Sequence, residues 1–287
     1  GYPGRTNRWM PAGGIEQNVK YAYPAWVEGA KTGMDNMKKH MDKNDEVRLN
    51  YASKYAGTAN YWKNRIGMID ALTKFGTAQS KAKQEAKFDK WANKKANKAK
   101  YGNVIATINH FYSLTNDKSK HDNYLQQLFR TSSYGAISRT LGRQFENYAK
   151  ADATKRKEME GRLNEMIDSF YDKLHLPAEK DILAAQLNLY ATKAVNYPLA
   201  PMVVELSKEN NNNFTSYVNN AFDLSLFSSK ERMKAFLVLP NEALVTNDPL
   251  YQLSNNLIIH VNSRSEEIEN AQNNFNAAFR LLVEGLR

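Results

Sequence analysis

Two asparagines on one face of a long helical stretch are the side chains of this chain best suited to binding a polar ligand. Asn60 and Asn64 lie one helical turn apart within the stretch Tyr51–Asp70. The other residues of that face are small, and they are Ser53, Gly57, Gly67 and Ala71. A carboxamide offers both a hydrogen-bond donor and an acceptor, so this face can bind a charged or polar group.

The two glycines of this face need an explanation, because a glycine inside a helix costs about 1 kcal/mol relative to alanine. At Gly57 and Gly67 the missing side chain lets another backbone or a ligand come close. Considered by residue type alone, a tight helix–helix crossing is the more ordinary reason for such a face. Both explanations stay open at the level of sequence.

The opposite face of the same stretch is apolar at helical spacing. Its residues are Val47, Tyr51, Tyr55, Trp62, Ile66 and Ile69. Asn44 or Asp45 is suited to cap the start of this helix, which we expect to end near Phe75. The elements that position the asparagines are therefore this helix and whatever packs against its apolar side.

Helical periodicity covers most of the remaining chain, and no segment alternates at period two for long. After an irregular segment 1–14 we expect helices over 15–43, 44–75, 78–100, 104–114, 120–150, 153–174, 178–194, 214–223, 230–237, 241–245, 249–261 and 262–287. The fold class predicted from the sequence is mostly α, an irregular multi-helix domain with helices of uneven length.

Composition excludes several classes of protein. A hydrophobic fraction of 42% in 287 residues is too high for a wholly disordered chain. The chain has no cysteine, which excludes disulfides, thiolate zinc sites and cysteine nucleophiles. Its five histidines are scattered, so we expect no metal site. The sequence contains no run of about 18 apolar residues, so it predicts no membrane-spanning helix.

The net charge of +10 is concentrated in one region. Residues 31–100 contain 17 Lys and Arg against 7 Asp and Glu, and the rest of the chain has 23 of each. One helical face carries Lys83, Lys87, Lys90, Lys94 and Lys98, with Phe88 and Trp91 nearby. Such a face is more typical of a solvated helix than of a phosphate-binding surface. The alternative is a non-enzymatic basic module that binds nucleic acid or an acidic protein.

No complete active site is evident. The motif Gly-x-Ser-x-Gly is absent, and the nearest approach, Ser132-Ser133-Tyr134-Gly135, is expected to lie inside a helix. We interpret His110 and His121 as packing or surface residues. Two clusters of carboxylates are interpreted as surface charge, and they consist of Glu158, Glu160 and Glu165, and of Glu266, Glu267 and Glu269.

Two motifs resemble a known family. GYPGRTNRW at Gly1–Trp9 and YAGTANYWKNRIGM at Tyr55–Met68 are similar to segments of the bacterial dipeptidyl peptidases of serine peptidase family forty-six, in the chymotrypsin clan. In that family a segment of the first type closes the first part of a double β-barrel. A large helical domain follows, and then the chain returns to the barrels. The resemblance extends over the whole chain.

The resemblance implies a domain division and a role. Residues 1–14 would be the exit segment from the first barrel, and residues 15–287 the α-helical cap domain of the cleft. In the family this domain supplies an asparagine that binds the free amino group of the substrate, which points to Asn60, with Asn64 as the neighbouring candidate. The catalytic Ser, His and Asp would lie outside this chain.

The same resemblance implies partners and a compartment. The partners would be peptide substrates and the missing β-barrel catalytic domain, with no nucleic acid and no cofactor. The enzyme would be periplasmic or associated with the bacterial cell surface, and a homodimeric full enzyme is compatible with the resemblance.

We expect an isolated chain of these 287 residues to be inert, because it shows no pair of nucleophile and base. It should not hydrolyse dipeptidyl substrates. It should also not react with a serine-directed phosphonate, as measured by intact-mass analysis of the protein. Stoichiometric labelling of any serine would contradict this expectation.

Overall fold

The computed structural model describes residues 10–286. Within them the chain forms fifteen α-helices, one π-helical turn (Asn18–Ala22), two short 3-10 turns and no strand. The α-helices are α1 Ala12–Gln17, α2 Tyr23–Met41, α3 Asp45–Lys74, α4 Thr77–Ala92, α5 Lys98–Tyr101, α6 Val104–Thr131, α7 Leu141–Lys150, α8 Ala153–Tyr171, α9 Leu176–Lys193, α10 Pro201–Asn210, α11 Thr215–Leu224, α12 Lys230–Val238, α13 Glu242–Thr246, α14 Pro249–Asn262 and α15 Glu266–Gly285. The predicted mostly-α class is confirmed.

The first helix begins earlier than the sequence indicated. The amide of Ile15 donates to the carbonyl of Pro11 over 3.1 Å, which closes a helical turn that starts at Ala12. The irregular segment predicted over 1–14 therefore extended too far, because residues 12–14 are helical. The motif Gly1–Trp9 lies outside the described residues.

The prediction of one continuous helix over 120–150 was wrong. Helix α6 runs without a break from Val104 to Thr131, and a turn then separates it from α7. In this turn the amide of Gly135 donates to the hydroxyl of Ser132 over 3.1 Å, which replaces a helical hydrogen bond. A Cβ at Gly135 would lie 2.5 Å from Cδ2 of Leu128, so the close return of the chain needs glycine there. Ser132–Gly135 consequently lies in a turn and not inside a helix.

The helix predicted over 78–100 is also interrupted. Helix α4 ends at Ala92, and the short α5 begins only at Lys98. The carboxamide of Asn97 donates to the carbonyl of Trp91 over 3.0 Å and so satisfies a group that the helix end leaves free. This side-chain bond stabilises the break between the two helices.

The chain divides into two compact units. The first consists of residues 1–27, 63–120 and 263–287, and the second of residues 28–62 and 121–262. In the first unit the buried core is formed by Phe88, Ala92, Val104, Ile108, Ala278 and Leu282. The rings of Phe111 and Phe275 pack 4.5 Å apart beside it.

The second unit is built around α9, which is buried along most of its length. A cluster of buried residues joins α2, α3 and α9, and its members are Met37, Val47, Tyr51, Ala178 and Ile182. Elsewhere in this unit the hydroxyl of Tyr134 donates to the carbonyl of Phe227 over 2.9 Å. Phe145 stacks on Phe236 at 5.1 Å. None of the described helices combines the length and the apolar character needed to cross a membrane.

Asn44 is the residue that caps α3. Its Oδ1 accepts from the amides of Glu46 and Val47 over 2.9 and 3.1 Å, whereas Asp45 is the first residue of the helix and pairs with Arg48. The sequence left Asn44 and Asp45 as alternatives, and the hydrogen bonds select Asn44.

We expect Asn44→Ala to lower the free energy of unfolding by about 1 kcal/mol, because two amides at the start of α3 lose their acceptor. Asn44→Asp should retain most of that stability. Asp45→Ala removes one exposed ion pair and should cost only a few tenths of a kcal/mol. Urea unfolding of the three variants checks the order, and a larger loss for Asp45→Ala than for Asn44→Ala would contradict the assignment.

Candidate functional site

Asn60 and Asn64 both lie on the exposed face of α3. Neither carboxamide makes a hydrogen bond with any residue that the structure describes. Several other helical asparagines donate to the carbonyl four residues before them, and these are Asn36, Asn164 and Asn210. The two side chains on α3 are thus available to an external partner.

Open space surrounds the glycines of this face. A Cβ built at Gly57 or at Gly67 has no atom of another described element within 4 Å. The tight helix–helix crossing that residue types favoured is therefore wrong for this stretch, within the part of the chain described here. The small residues leave room beside Asn60 that no described side chain fills.

A tight crossing does occur in this chain, but at glycines that the sequence analysis did not single out. On α2, a Cβ at Gly29 would lie 2.7 Å from Cβ of Gln127, and one at Gly33 would lie 2.5 Å from Cγ2 of Thr131. The spacing of four residues places both glycines on one helical face against α6. Two glycines four residues apart are the small-residue pattern of closely packed helix pairs, so the crossing could have been predicted from this spacing.

The apolar face of α3 packs largely as predicted. Val47 and Tyr51 are buried, and Tyr55 packs against the same cluster. Thr58 is also buried and donates its hydroxyl to the carbonyl of Lys54 over 2.8 Å. Ile66 is the exception, since 38% of it is exposed. The face that carries the asparagines is therefore turned away from the core.

A buried carboxylate connects α3 to its neighbours, and no motif in the sequence pointed to it. Glu179, in the first turn of α9, is fully buried. Its Oε1 accepts from the hydroxyl of Tyr51 over 2.9 Å and from that of Ser133 over 3.0 Å. Its Oε2 accepts from the amide of Ser133 over 2.7 Å, and Nζ of Lys54 lies 3.5 Å from Oε1.

This network fixes the start of α3 at several points. Tyr51 and Lys54 belong to α3, Ser133 to the turn after α6, and Glu179 to α9. The hydroxyl of Tyr51 also accepts from the amide of His175 over 3.3 Å. Burial and then the nearby carboxylate raise the pKa of Tyr51, so its phenol stays protonated and continues to donate.

The other candidate groups have the roles that the sequence indicated. His121 is buried, with its ring nitrogens 2.6 Å from the Tyr190 hydroxyl and 2.9 Å from Asp122, whereas His110 is exposed. The two glutamate clusters are exposed surface charge. The predicted lysine stripe is exposed, but it does not lie on one helix, because α4 carries only Lys83, Lys87 and Lys90. Phe88 faces inward to the core.

The sequence profile of the peptidase S46 family, described as "Peptidase S46", matches residues 1–287. The chain belongs to the peptidase S46 family. It is 41% identical over 289 residues to a dipeptidyl-peptidase 7 of Capnocytophaga gingivalis, covering 100% of this chain and 40% of the relative. A dipeptidyl-peptidase 7 of Phocaeicola vulgatus is 30% identical over 259 residues, which cover 87% of this chain and 35% of that relative.

The fold is shared with a solved structure. A crystal structure of Porphyromonas endodontalis DPP11 in complex with the dipeptide Arg-Glu matches with a TM-score of 0.80 and 20% identity, covering 100% of this chain and 41% of that one. This chain spans about 40% of the length of the curated relative from Capnocytophaga gingivalis. The resemblance found in the sequence is confirmed at the level of family and fold.

We expect Glu179→Gln to lower the free energy of unfolding by about 3 kcal/mol, because a charged acceptor of several hydrogen bonds is replaced inside the core. The NH2 group of the new amide would also face a group that now donates, either the amide of Ser133 or the hydroxyls of Tyr51 and Ser133. Glu165→Gln, at an exposed glutamate of the same unit, should change stability by less than about 0.5 kcal/mol. Equal losses in urea unfolding for the two variants would refute the assigned role of Glu179.

Proposed function

We propose that this chain is the helical cap part of a serine dipeptidyl peptidase, and that Asn60 binds the free α-amino group of the peptide substrate. The observation that carries the second part is the state of the Asn60 side chain. It is exposed, without a hydrogen bond among the described residues, and beside the open space at Gly57. The peptidase assignment is supported by the family match and by relatives named dipeptidyl-peptidase 7.

The chemistry of the amino terminus suits a carboxamide. An enzyme that removes dipeptides must distinguish an α-ammonium group from a continuing chain. An ammonium group presents three donors and needs acceptors at fixed positions. A neutral carboxamide oxygen can accept from it, and the oxygen loses less hydration free energy than a carboxylate does when a cleft closes.

The position of Asn60 on its helix also supports the proposal. It follows the anchored segment of α3, in which Tyr51 and Lys54 both bind Glu179. A helix that is held in this way has few alternative positions, so an acceptor on its exposed face is preorganised. Asn64 lies one turn further along and is the natural comparison.

In the whole enzyme the reaction would be acyl transfer through a serine supplied by the rest of the protein. The cap would exclude long chains from the cleft and recognise the amino terminus, and a periplasmic or cell-surface location is part of the same proposal. The alternative, a basic module that binds nucleic acid, is disfavoured by the inward packing of Phe88 beside the lysines.

We expect Asn60→Ala in the full-length enzyme to lower kcat/KM by roughly ten- to several-hundred-fold. This corresponds to about 1.5–3 kcal/mol for a lost hydrogen bond to a charged group. Asn64→Ala should cost much less. Kinetics on a dipeptidyl substrate with a fluorogenic leaving group measure both effects, and unchanged thermal unfolding shows that each variant is folded.

A blocked substrate makes the test specific to the amino group. The ratio of kcat/KM for the free-amine substrate to that for its N-acetyl form should shrink in Asn60→Ala and persist in Asn64→Ala. The reverse order of the two variants would assign the role to Asn64. If neither variant changes the ratio, the exposed face of α3 does not bind the amino group.

A further inference from the structure

The first unit carries a dense surface of lysines that its own carboxylates do not neutralise. We call it the lysine face. It consists of Lys83, Lys87 and Lys90 on α4, Lys94 and Lys95 in the turn that follows, and Lys98 at the start of α5. All six side chains are exposed. None forms an ion pair with a residue that the structure describes, whereas Lys31, Lys38 and Lys150 each pair with a carboxylate four residues away.

The two acidic residues of this stretch are bound elsewhere. Glu85 is buried on the opposite side of α4, where its Oε1 accepts from the amide of Ala12 over 2.7 Å. Asp89 is half-buried, and its Oδ1 accepts from the carboxamide of Asn93 over 3.1 Å. The positive charges of the lysine face are therefore left to the solvent or to an external partner.

Packing holds this face outward. Phe88 and Ala92 of α4 are buried against Val104, Ile108 and Leu282. Trp91 is half-buried and packs 4.9 Å from the ring of Tyr101. The helix cannot present its apolar side to a partner without disrupting this core, so any contact through the lysine face is electrostatic.

The row of exposed lysines points to an extended anionic partner, and we propose that the lysine face docks the protein peripherally on a membrane surface rich in anionic phospholipid headgroups. Lys83, Lys87 and Lys90 extend over about 10 Å of α4 at 1.5 Å per residue, and the other three lysines continue beyond the end of that helix. Lysine is a flexible point charge, suited to headgroup phosphates that hold no fixed geometry, whereas arginine is suited to bidentate contacts. This proposal stands independently of the peptidase assignment.

Nucleic acid is a poorer match to the same surface. Base readout relies on bidentate or amide side chains, and single-strand binding relies on exposed aromatic rings. Between the lysines the face offers mainly alanine, as at Ala86, while Phe88 is buried. The surface therefore supplies charge but no group that recognises a base.

The test is co-sedimentation of the full-length protein with vesicles of phosphatidylcholine containing roughly one third phosphatidylglycerol, compared with pure phosphatidylcholine. At about 0.1 M NaCl, binding should occur only to the anionic vesicles, and about 0.5 M NaCl should abolish it. The triple variant Lys83→Gln, Lys87→Gln and Lys90→Gln should lower the partition coefficient at least about tenfold.

A matched control removes the same charge elsewhere. Lys155→Gln, Lys157→Gln and Lys173→Gln together change three exposed lysines of the second unit, and this variant should bind vesicles nearly as the unmodified protein does. Thermal unfolding confirms that both triple variants are folded. No binding to anionic vesicles, or equal loss in the two variants, would overturn the proposal. Tighter, equally salt-sensitive binding to duplex DNA than to vesicles would also overturn it and identify a polyanion-binding surface.

Discussion

The buried carboxylate of Glu179 is the constraint on which the second unit depends. A charged group inside a protein is tolerated only when its hydrogen-bonding capacity is filled, because the free energy of hydration it loses is large. Glu179 meets this condition with the hydroxyl of Tyr51, the amide and hydroxyl of Ser133, and Nζ of Lys54 at the rim. Three segments distant in sequence must therefore meet at one point, and α3 is one of them.

This anchor explains why the two sides of α3 differ so sharply. One side carries Tyr51 and Thr58 into the core, while the other exposes Asn60 beside the open space at Gly57. A helix that is fixed on its inner side can carry small and polar residues outside without losing its position. The cost of an internal glycine is then offset by packing on the opposite face. Our proposal that Asn60 binds an amino group rests on this arrangement.

The first unit also separates a buried and an exposed helix face, but its exposed face is positively charged. Phe88 and Ala92 of α4 close the core, Glu85 binds the amide of Ala12, and the lysines are left outside. On α3 the outer surface is neutral and rich in hydrogen-bonding groups, whereas on α4 it is cationic. The ligands that we propose for the two surfaces differ accordingly, an amino group in one case and an extended anionic surface in the other.

Sequence by itself determined the helical class, the two faces of α3, the cap region at Asn44 and the family, since periodicity, capping residues and local motifs are short-range properties. It did not determine where α6 ends. After Thr131 the amide of Gly135 donates to the hydroxyl of Ser132, and the amide of Ser133 donates to the distant Glu179. Nor could it separate the open glycine at Gly57 from the crossing glycine at Gly29, since the two differ only in what approaches them. Tertiary structure decided these points, because each depends on which distant segment fills the space beside a residue.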